Sequence, residues 1–504
     1  MSTTRLPRLL TGLAFAVAVA SAVPLLYLAV RAGEAGLSEI GEILFRERTV
    51  RLTLRSLVLA AVVSLACAVL GIAGAWASVR LDLPLPRLWP VVLVLPLAVP
   101  SYISAYAWLS AFPGFGGFGG SALVLTLASL PYVVLPVAAA LRGLDPALEE
   151  VARSAGSGPW QAFRRVVLPQ LWPATAAGSL LVALYVLSDF GAVSVLRYDV
   201  FTRVIHSSYR SSFDRTPAAV LGCLLVLLTL VLVAFEARAA KRAPRTRTGS
   251  GTARRMRRVR PRPLVRAGVV AGLLALVALS LGVPAFSLTV QLIEGTSTVD
   301  GGRLASAAWA SLRFSLLGAA VTVLLALPVG LLAARRRDRT LATLPDRITW
   351  LGHALPGIVI GLSLVFLCIR VVPGLYQRTP VLVFAYAVLF LPLAVAAVRS
   401  AAAQAPPVLE EVARSLGRPP RRVLTSITLP LATPGILAGA ALVFLTCMKE
   451  LPATLLLHPT GTETLATDLW SHTGVGAYAA AAPYAAALVL LASVPTAFLS
   501  RWRG

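Results

Sequence analysis

The chain has 504 residues, of which 57% are apolar and 13% are charged, and its formal net charge is +25. This composition offers too little polar surface for a soluble globular protein and is typical of a polytopic membrane protein. A charge of this size suggests nucleic-acid binding in a soluble protein. Here the arginines concentrate between apolar runs, so the positive-inside rule accounts for the charge and no nucleic-acid partner is expected.

Lysine and cysteine usage excludes two kinds of chemistry. Lys241 and Lys449 are the only lysines and neither follows glycine, so the sequence contains no Walker A motif. The four cysteines are scattered through apolar runs without paired spacing, which argues against disulfides and zinc. We expect no cofactor in this chain, and any ATP that drives it must be hydrolysed by another chain.

The apolar runs predict twelve transmembrane helices. The first extends from about residue 9 to residue 30. Its basic start and the Ala20-Ser21-Ala22 sequence are compatible with a cleaved signal peptide, but its full spanning length favours a retained helix. The other predicted spans lie near residues 54–79, 89–111, 121–141, 170–190, 217–237, 267–290, 312–334, 348–370, 380–402, 431–451 and 478–499.

The distribution of arginine predicts the orientation of the spans. Twelve basic residues lie between Arg238 and Arg266, in a segment rich in Pro, Gly, Ser and Thr. Such a segment is typical of a flexible cytoplasmic tether lying on anionic lipid. Arg335, Arg336, Arg337 and Arg339 mark a second cytoplasmic loop. Counting from these segments places both termini in the cytoplasm of a bacterial cell. The predicted outer loops are then 31–53, 191–216, 291–311 and 452–477.

A polar segment between apolar runs occurs twice. It reads PALEEVARSAGSGPWQAFRRVVLP at residues 146–169 and PVLEEVARSLGRPPRRVLTSITLP at residues 407–430, with 12 of 24 positions identical. In the first copy, Asp145 is placed to cap a helix that begins at Pro146. Gly156 is expected to end that helix. We expect a second short helix to stop before the closing proline, giving a helix-turn-helix on the membrane surface.

Both copies resemble the EAA loop of ABC-importer permeases, whose pattern is Glu-Ala-Ala, three residues, Gly, nine residues and Ile-x-Leu-Pro. Valine replaces the middle alanine here. The resemblance implies that each loop binds one of two cytoplasmic ATP-binding subunits; the alternative is a pair of surface helices duplicated with the fold. The residues that carry the predicted coupling role are Glu149, Glu150, Ala152, Gly156, Leu168 and Pro169, and Glu410, Glu411, Ala413, Gly417, Leu429 and Pro430.

The repeat extends beyond these loops. Gly71 matches Gly330, Pro131 matches Pro392 and Pro173 matches Pro434, at offsets of 259 to 261. Six spans separate the equivalents, so the halves share one orientation. The sequence therefore predicts an all-α polytopic membrane protein with about twelve transmembrane helices in two parallel six-helix repeats. The predicted divisions are an N-terminal helix and loop at 1–52, a first permease domain at 53–238, a basic linker at 239–266, a helix and loop at 267–311, and a second permease domain at 312–500.

Prolines and charges inside the apolar runs suggest a translocation path. Pro96, Pro100, Pro131, Pro356 and Pro392 lie within predicted spans, where kinked helices would line a path or serve ordinary packing. Asp189 and Glu450 are repeat equivalents about nineteen residues into their spans, with Lys449 beside the second. That distance corresponds to roughly 28 Å of helix, near the outer face. The charges are candidates for an outer gate, or for solvated helix ends.

The residues around these charges resemble fused ferric-iron permeases. The first stretch is Ser188-Asp189-Phe190-Gly191-Ala192, and the second is Lys449-Glu450-Leu451-Pro452-Ala453-Thr454 followed by Gly461 to Thr467. The resemblance covers residues 53–500 and implies a non-catalytic permease that receives ferric iron from an extracytoplasmic binding protein. Related fused permeases carry thiamine or phosphonates, which are the alternative substrates.

Two other classes fit the sequence less well. A secondary transporter should carry carboxylates deep in its spans and a Gly-, Asp- and Arg-rich loop between spans two and three. The loop here is Arg80-Leu81-Asp82-Leu83-Pro84-Leu85-Pro86-Arg87, which lacks that pattern. A membrane enzyme would need a cluster of His, Asp or Glu, or a Ser/His pair, and the sequence contains no such local motif.

Overall fold

The computed structural model describes residues 8–211, 215–242, 258–295, 300–335, 340–353 and 355–501. Within these ranges the regular structure is helical, and the only β pairing is an isolated parallel bridge between Leu81 and Val259. Most of the basic linker, at 243–257, and the arginines at 336, 337 and 339 lie outside the described residues.

The described residues that precede the linker form thirteen α-helices. A π-helical turn at Phe163–Val167 and a 3₁₀ turn at Leu95–Ala98 lie among them. The helices are α1 (Arg8–Gly33), α2 (Gly36–Phe45), α3 (Glu47–Arg80), α4 (Leu88–Val92), α5 (Ser101–Ala111), α6 (Gly117–Ser129), α7 (Pro131–Gly143), α8 (Pro146–Ser154), α9 (Pro159–Ala162), α10 (Leu168–Ser188), α11 (Gly191–Val195), α12 (Phe201–Ser211) and α13 (Thr216–Arg242).

The described residues that follow the linker form twelve α-helices. Two π-helical turns, at Ala278–Gly282 and Leu424–Thr428, and one 3₁₀ turn at Pro373–Leu375 interrupt or join them. The helices are α14 (Pro263–Val277), α15 (Val283–Glu294), α16 (Gly301–Arg335), α17 (Thr340–His353), α18 (Gly357–Val371), α19 (Thr379–Gln404), α20 (Pro407–Ser415), α21 (Pro420–Val423), α22 (Leu429–Lys449), α23 (Pro452–Leu457), α24 (Leu465–Gly474) and α25 (Tyr478–Arg501).

Nine helices in the described ranges are long and apolar enough to cross a membrane, and each corresponds to a predicted span. The third predicted span is a pair of helices, Leu88–Ala98 and Ser101–Ala111, bent by 90°. The remaining two predicted spans contain shorter apolar helices, Gly357–Val371 and Tyr478–Ser493. The all-α polytopic fold is therefore confirmed, although several spans differ from continuous helices.

Two prolines break their helices instead of kinking them, so the expectation of continuous spans at 89–111 and 348–370 is wrong. Pro100 and Pro356 each precede the first residue of a helix, and their ψ angles of 142° and 141° are extended. Because proline also disfavours the helical conformation of the residue before it, a new helix starts after each of these prolines. In the first half the new helix lies at 90° to the one before it.

The chain forms two compact units that are not the two halves of the sequence. Unit 1 comprises residues 1–46, 204–226 and 296–504, and unit 2 comprises 47–203 and 227–295. In unit 1, α1 packs against α16, α17 and α18; in unit 2, α15 packs against α5. Each unit thus takes a long apolar helix from the other half of the sequence. The sequence-based domain boundaries remain predictions.

Within each unit, three helices of the repeat pack closely: α3, α7 and α10 in unit 2, and α16, α19 and α22 in unit 1. A Cβ atom on Gly71 would lie 2.7 Å from Val133 Cγ1, and one on Gly330 would lie 2.7 Å from Val398 Cγ1. Only glycine permits helices to approach this closely. These repeated glycines set the position of the helices that carry the polar loops.

Candidate coupling loops

The first polar loop begins with a capped helix, as predicted. The Asp145 side chain accepts a hydrogen bond from the Ala147 N–H at 3.0 Å, and Pro146 is the first residue of α8. Proline is favourable there because its missing N–H would have no helical partner. In the second loop Pro406 occupies the capping position of α20 and provides no side-chain acceptor. The two copies therefore share the helix but not its cap.

A left-handed glycine ends the first loop helix. Gly156 has a φ of +87°, and its N–H donates to the Arg153 carbonyl at 3.1 Å. The Ser157 N–H donates to the Ala152 carbonyl at 3.0 Å. This pair of hydrogen bonds is the Schellman motif, which satisfies the last carbonyls of a helix and turns the chain away from its axis.

The second loop repeats the same turn. Gly417 has a φ of +79°, its N–H donates to Arg414 at 2.9 Å, and the Arg418 N–H donates to Ala413 at 3.1 Å. A Cβ atom on Gly156 or Gly417 would have no neighbour within 4 Å. Glycine is therefore required at both positions by the backbone angle and not by lack of space.

The short second helix does not stop before Pro169, and in this respect the sequence prediction is wrong. It runs through a π-helical turn, Phe163–Val167, into α10, and the Leu168 N–H donates to the Phe163 carbonyl. The second copy is the same, with the turn Leu424–Thr428 before Pro430. A wider turn accommodates the ring and the missing N–H of a proline that would otherwise clash with the preceding turn.

A buried ion pair joins the first loop helix to a membrane helix. The Arg80 guanidinium, at the end of α3, pairs with the Glu149 carboxylate on α8. The two side chains are only 5% and 15% exposed. The Arg80 guanidinium carbon also lies 5.0 Å from the centre of the Trp76 ring. Removing one member of such a pair leaves a buried charge uncompensated, so the pair fixes α8 against α3.

The second half contains the equivalent pair. Arg335, the last residue of α16, pairs with Glu410 on α20, and their side chains are 9% and 10% exposed. Glu410 Oε1 also accepts a hydrogen bond from Thr428 Oγ1 at 2.7 Å. The matching residue in the first loop is Val167, which cannot donate one. The second loop therefore has a contact between its glutamate and the π-helical turn that Val167 cannot provide in the first loop.

The other glutamate of each acidic pair points outward, and apolar side chains accompany it. Glu150 and Glu411 are exposed. Large apolar side chains on the loops are exposed by 45% or more. They are Leu148, Val151 and Trp160 in the first loop, and Val408, Leu409, Val412 and Leu416 in the second. Exposed apolar surface on a polar loop is typical of a protein–protein contact.

Of the remaining loop residues, Ala152 is half-buried and Ala413 is buried. Leu168 and Leu429 are the first residues of α10 and α22, and Pro169 and Pro430 follow them. The structure therefore assigns the twelve predicted residues to three positions: the loop helix, the glycine turn, and the entry into the membrane helix. Their role in coupling remains a prediction.

Asp189 lies directly after α10, at the helix end where the sequence placed it. Its carboxylate accepts hydrogen bonds from the Ala192 and Val193 N–H groups, at 3.0 and 3.3 Å, and from the Ser101 hydroxyl. The side chain thus caps α11 and contacts the start of α5. Only 8% of the residue is exposed.

Glu450 occupies the equivalent place after α22. Its carboxylate accepts hydrogen bonds from the Ala453 and Thr454 N–H groups, both at 3.0 Å, and from Thr454 Oγ1 at 2.8 Å. It also fills the space beside Gly357, where a Cβ atom would lie 2.5 Å from Glu450 Oε1. Lys449 is the last residue of α22. Both carboxylates are therefore engaged by helix N-termini, and a role in an outer gate remains a prediction.

Sequence reasoning missed Arg80 and Arg335 as parts of the site. The sequence places each of them only in a loop between spans, because its partner lies 69 or 75 residues further along the chain. One signal was present: each arginine ends a long apolar helix that contains a repeated glycine, ahead of a Glu-Glu pair in the next polar loop. Recognising it would have required the contact between the two elements.

These features define a class of protein: a polytopic membrane protein whose two repeated halves each present a helical loop with an exposed apolar face, as a transport permease does. The chain belongs to the family of binding-protein-dependent transport system inner membrane components, which matches residues 68–243 and 326–502. The chain is thus a multi-pass membrane permease that works with a substrate-binding protein and an ATPase. The resemblance to ABC-importer permeases drawn from the loop residues is confirmed.

The chain is similar to several transport permeases. It is 37% identical to the Fe(3+)-transport system permease protein FbpB 2 of Haemophilus influenzae, over 99% of each chain. It is 24% identical to the ferric transport system permease protein FbpB of Actinobacillus pleuropneumoniae, over 90% of this chain and 71% of that protein. The sulfate transport system permease protein CysT of Escherichia coli is 27% identical over 42% of this chain and 83% of its own length.

Proposed function

We propose that this chain is the permease of an ABC importer that moves ferric iron from a binding protein across the cytoplasmic membrane. The observation that carries the proposal is the 37% identity to a Fe(3+)-transport permease over 99% of both chains. Similarity to the sulfate permease of Escherichia coli covers only 42% of this chain. Full-length similarity includes both halves, the linker and the segments beyond the shared family core, so it favours iron over sulfate, thiamine or phosphonate.

Two ATP-binding subunits would drive the transport, one at each polar loop. The exposed apolar side chains of α8 and α20, beside the exposed Glu150 and Glu411, form a surface suited to a groove on a partner. The buried pairs Arg80–Glu149 and Arg335–Glu410 would transmit the movement of each loop helix to α3 and α16. The permease itself would carry no catalytic chemistry, since ATP would be hydrolysed on the partner subunits.

Uptake of labelled iron tests the proposal. The permease, its ATPase and its binding protein are expressed in bacterial cells that lack their own ferric importer, and the uptake of radioactive ferric iron is followed. We expect ATP-dependent uptake that stops when the ATPase loses its Walker A lysine. Labelled sulfate serves as the second substrate, and accumulation of sulfate without iron would overturn the assignment.

The proposed orientation has both termini in the cytoplasm and makes a testable prediction. Single cysteines placed between residues 245 and 255 should be protected from a membrane-impermeant maleimide in intact cells. Cysteines placed in 460–475, which includes the exposed Val475, should react. The background for both is a variant without the four native cysteines. Labelling of the basic segment from outside the cell would show that every span has the opposite orientation.

Conservative changes at the outer carboxylates test the gate. Asp189→Asn and Glu450→Gln keep an oxygen acceptor for the helix N–H groups and remove the charge. If these residues belong to a gate that iron passes, uptake should fall severalfold while the ATPase still binds, because carboxylate oxygens attract hard cations. Normal uptake in both variants would leave helix capping as their only role.

A further inference from the structure

A polar cavity of about 490 Å³ lies within unit 1, apart from the loops described above. Its walls are α12, α24, the connection from α18 to α19, and the connection from α23 to α24. Both α23 and α24 follow α22 along the chain, whereas α20 precedes it. Since α21, the π turn and α22 form one apolar helix of 30 residues, the cavity lies at the end of that helix opposite α20. In the proposed orientation this is the side of the binding protein.

One wall presents an unusual set of side chains. His206, Tyr209 and Arg210 lie at positions i, i+3 and i+4 of α12, so they share one helix face. The Tyr209 and Tyr376 side chains lie close enough to interact. Burial raises the pKa of Tyr376, and the neighbouring Tyr209 hydroxyl raises it further.

Two histidines, His206 and His458, supply imidazole nitrogen atoms to the cavity. Burial lowers the pKa of His206 to about 4, and the positive charge of Arg210 contributes. His458 Nδ1 lies 3.1 Å from the Thr462 carbonyl oxygen, which favours the tautomer with hydrogen on Nδ1 and a lone pair on Nε2. Glu463 lines the same wall as His458. The cavity thus combines phenol, imidazole and carboxylate groups.

The backbone at the cavity is strained. Gln377 has a φ of +51°, which a residue other than glycine rarely adopts. Its side-chain Oε1 accepts a hydrogen bond from Thr460 Oγ1 at 2.9 Å, which ties the α18–α19 connection to the α23–α24 connection. Strained backbone of this kind persists where the surrounding structure enforces it, and it is enriched at binding sites.

The donor set indicates the kind of ligand. Phenolate and carboxylate oxygens, together with imidazole nitrogen, suit a ferric ion. In the described residues no cluster of three His, Cys, Asp or Glu side chains is arranged to hold a metal, so the tyrosines are needed to complete a set. Arg210 would repel a bare cation but would pair with an anion bound to it. An incomplete protein ligand set suits transfer better than storage.

We propose that this cavity receives ferric iron, still carrying an anionic ligand, on its way from the binding protein. The proposal rests on the proposed function of the chain and names the form in which the substrate arrives. Tyr209 and Tyr376 bind the iron, each losing its proton to solvent, and Arg210 holds the anion. Because binding releases protons, the affinity rises with pH. The titratable groups that line the cavity are His206, Tyr209, Arg210, Tyr376, His458 and Glu463. Arg215 faces the same tyrosines, with its guanidinium carbon 5.0 Å from the centre of the Tyr209 ring.

The test uses the full chain, purified in detergent without its partners, and ferric nitrilotriacetate as the probe. Iron bound to tyrosinate gives a visible charge-transfer absorption band, which neither free tyrosine nor the probe gives. We expect the band in the unaltered chain, a loss of at least half of it in Tyr209→Phe and Tyr376→Phe, and none in the double variant. Arg210→Gln should weaken binding about tenfold, the size expected for loss of one charged hydrogen bond.

The matched control is Tyr198→Phe, which removes a hydroxyl from unit 2; it should keep the full band. Absence of the band in the unaltered chain, or its persistence in the double variant, would overturn the inference. So would tight binding of sulfate alone, which would make the cavity an anion site. The iron-uptake assay separates the two proposals. Normal uptake in the double variant would refute only the proposed role of the cavity. Absence of uptake by the unaltered complex would refute the proposed iron function.

Discussion

Replacing both Gly156 and Gly417 by valine is expected to abolish ATP-driven uptake while the protein still inserts in the membrane. Both glycines hold left-handed angles, with φ of +87° and +79°, and a β-branched residue fits these angles poorly. Each substitution should cost about 1–2 kcal/mol in the turn. The Schellman hydrogen bonds would then be lost and the loop helix would leave the direction that its partner requires.

The measurement is iron uptake together with ATP hydrolysis by the whole complex. We expect uptake to fall about tenfold or more, since two turns costing about 1–2 kcal/mol each are affected. ATP hydrolysis should persist or become independent of the binding protein. The amount of permease in the membrane should stay the same, because the substitutions alter no membrane-spanning helix.

Two controls isolate the backbone angle. Gly156→Asn with Gly417→Asn should retain most uptake, because asparagine tolerates the left-handed conformation and neither site is crowded. Gly158→Val changes a glycine of the same loop that is also uncrowded and has no positive φ; it should be harmless. Loss of uptake in the asparagine variant, or full uptake in the double valine variant, would refute the role of the turn.

Reversing one charge of the buried pair, as in Arg80→Glu, is expected to have a similarly large effect. Two carboxylates would then face each other where the side chains are only 5% and 15% exposed. Breaking a buried pair costs about 3–5 kcal/mol, enough to detach α8 from α3. Uptake should fall at least as far as it would if one of the two ATPase contacts were lost. The ATPase should also dissociate more readily during purification.

The exchanged pair tests whether the contact itself matters. Arg80→Glu combined with Glu149→Arg should restore part of the uptake, although the contact of Arg80 with Trp76 is lost. The same exchange of Arg335 and Glu410 should restore less, because Thr428 also donates to Glu410. Arg51→Gln on the same helix as Arg80 is the control, since Arg51 and Glu47 are 59% and 85% exposed and exposed pairs contribute little. Failure of every exchange to rescue would argue that the pair is not a mechanical link.

The sequence predicted those parts of the fold that depend on local chemistry. Apolar runs of spanning length predicted the membrane helices, and Asp145, Pro146 and Gly156 predicted the start and end of α8, because caps and left-handed turns involve only neighbouring residues. Pro100 and Pro356 were recognised as disturbances, but the size of the break was not. Proline removes a hydrogen bond wherever it occurs, and the surrounding packing decides whether the helix bends or restarts.

Parts that depend on distant contacts could not be predicted in this way. Arg80 and Glu149 are separated by 69 residues, and nothing in either neighbourhood identifies its partner. The packing of α1 against α16 within unit 1 is equally hidden, because every apolar helix offers a similar surface. Asp189 shows a third case: its position at the end of α10 was predicted, whereas its hydrogen bonds to α11 and Ser101 required the structure.

The π-helical turns at Phe163–Val167 and Leu424–Thr428 act as a register adjustment between each loop and its membrane helix. Such a turn holds one residue more than an α-helical turn, and one residue corresponds to a rotation of about 100° around a helix axis. The outward face of α9 or α21 is thereby decoupled from the face that α10 or α22 shows to its neighbours. If the loops bind the ATPase as proposed, the gain or loss of a single residue would turn their binding surface toward a different partner without repacking the membrane core.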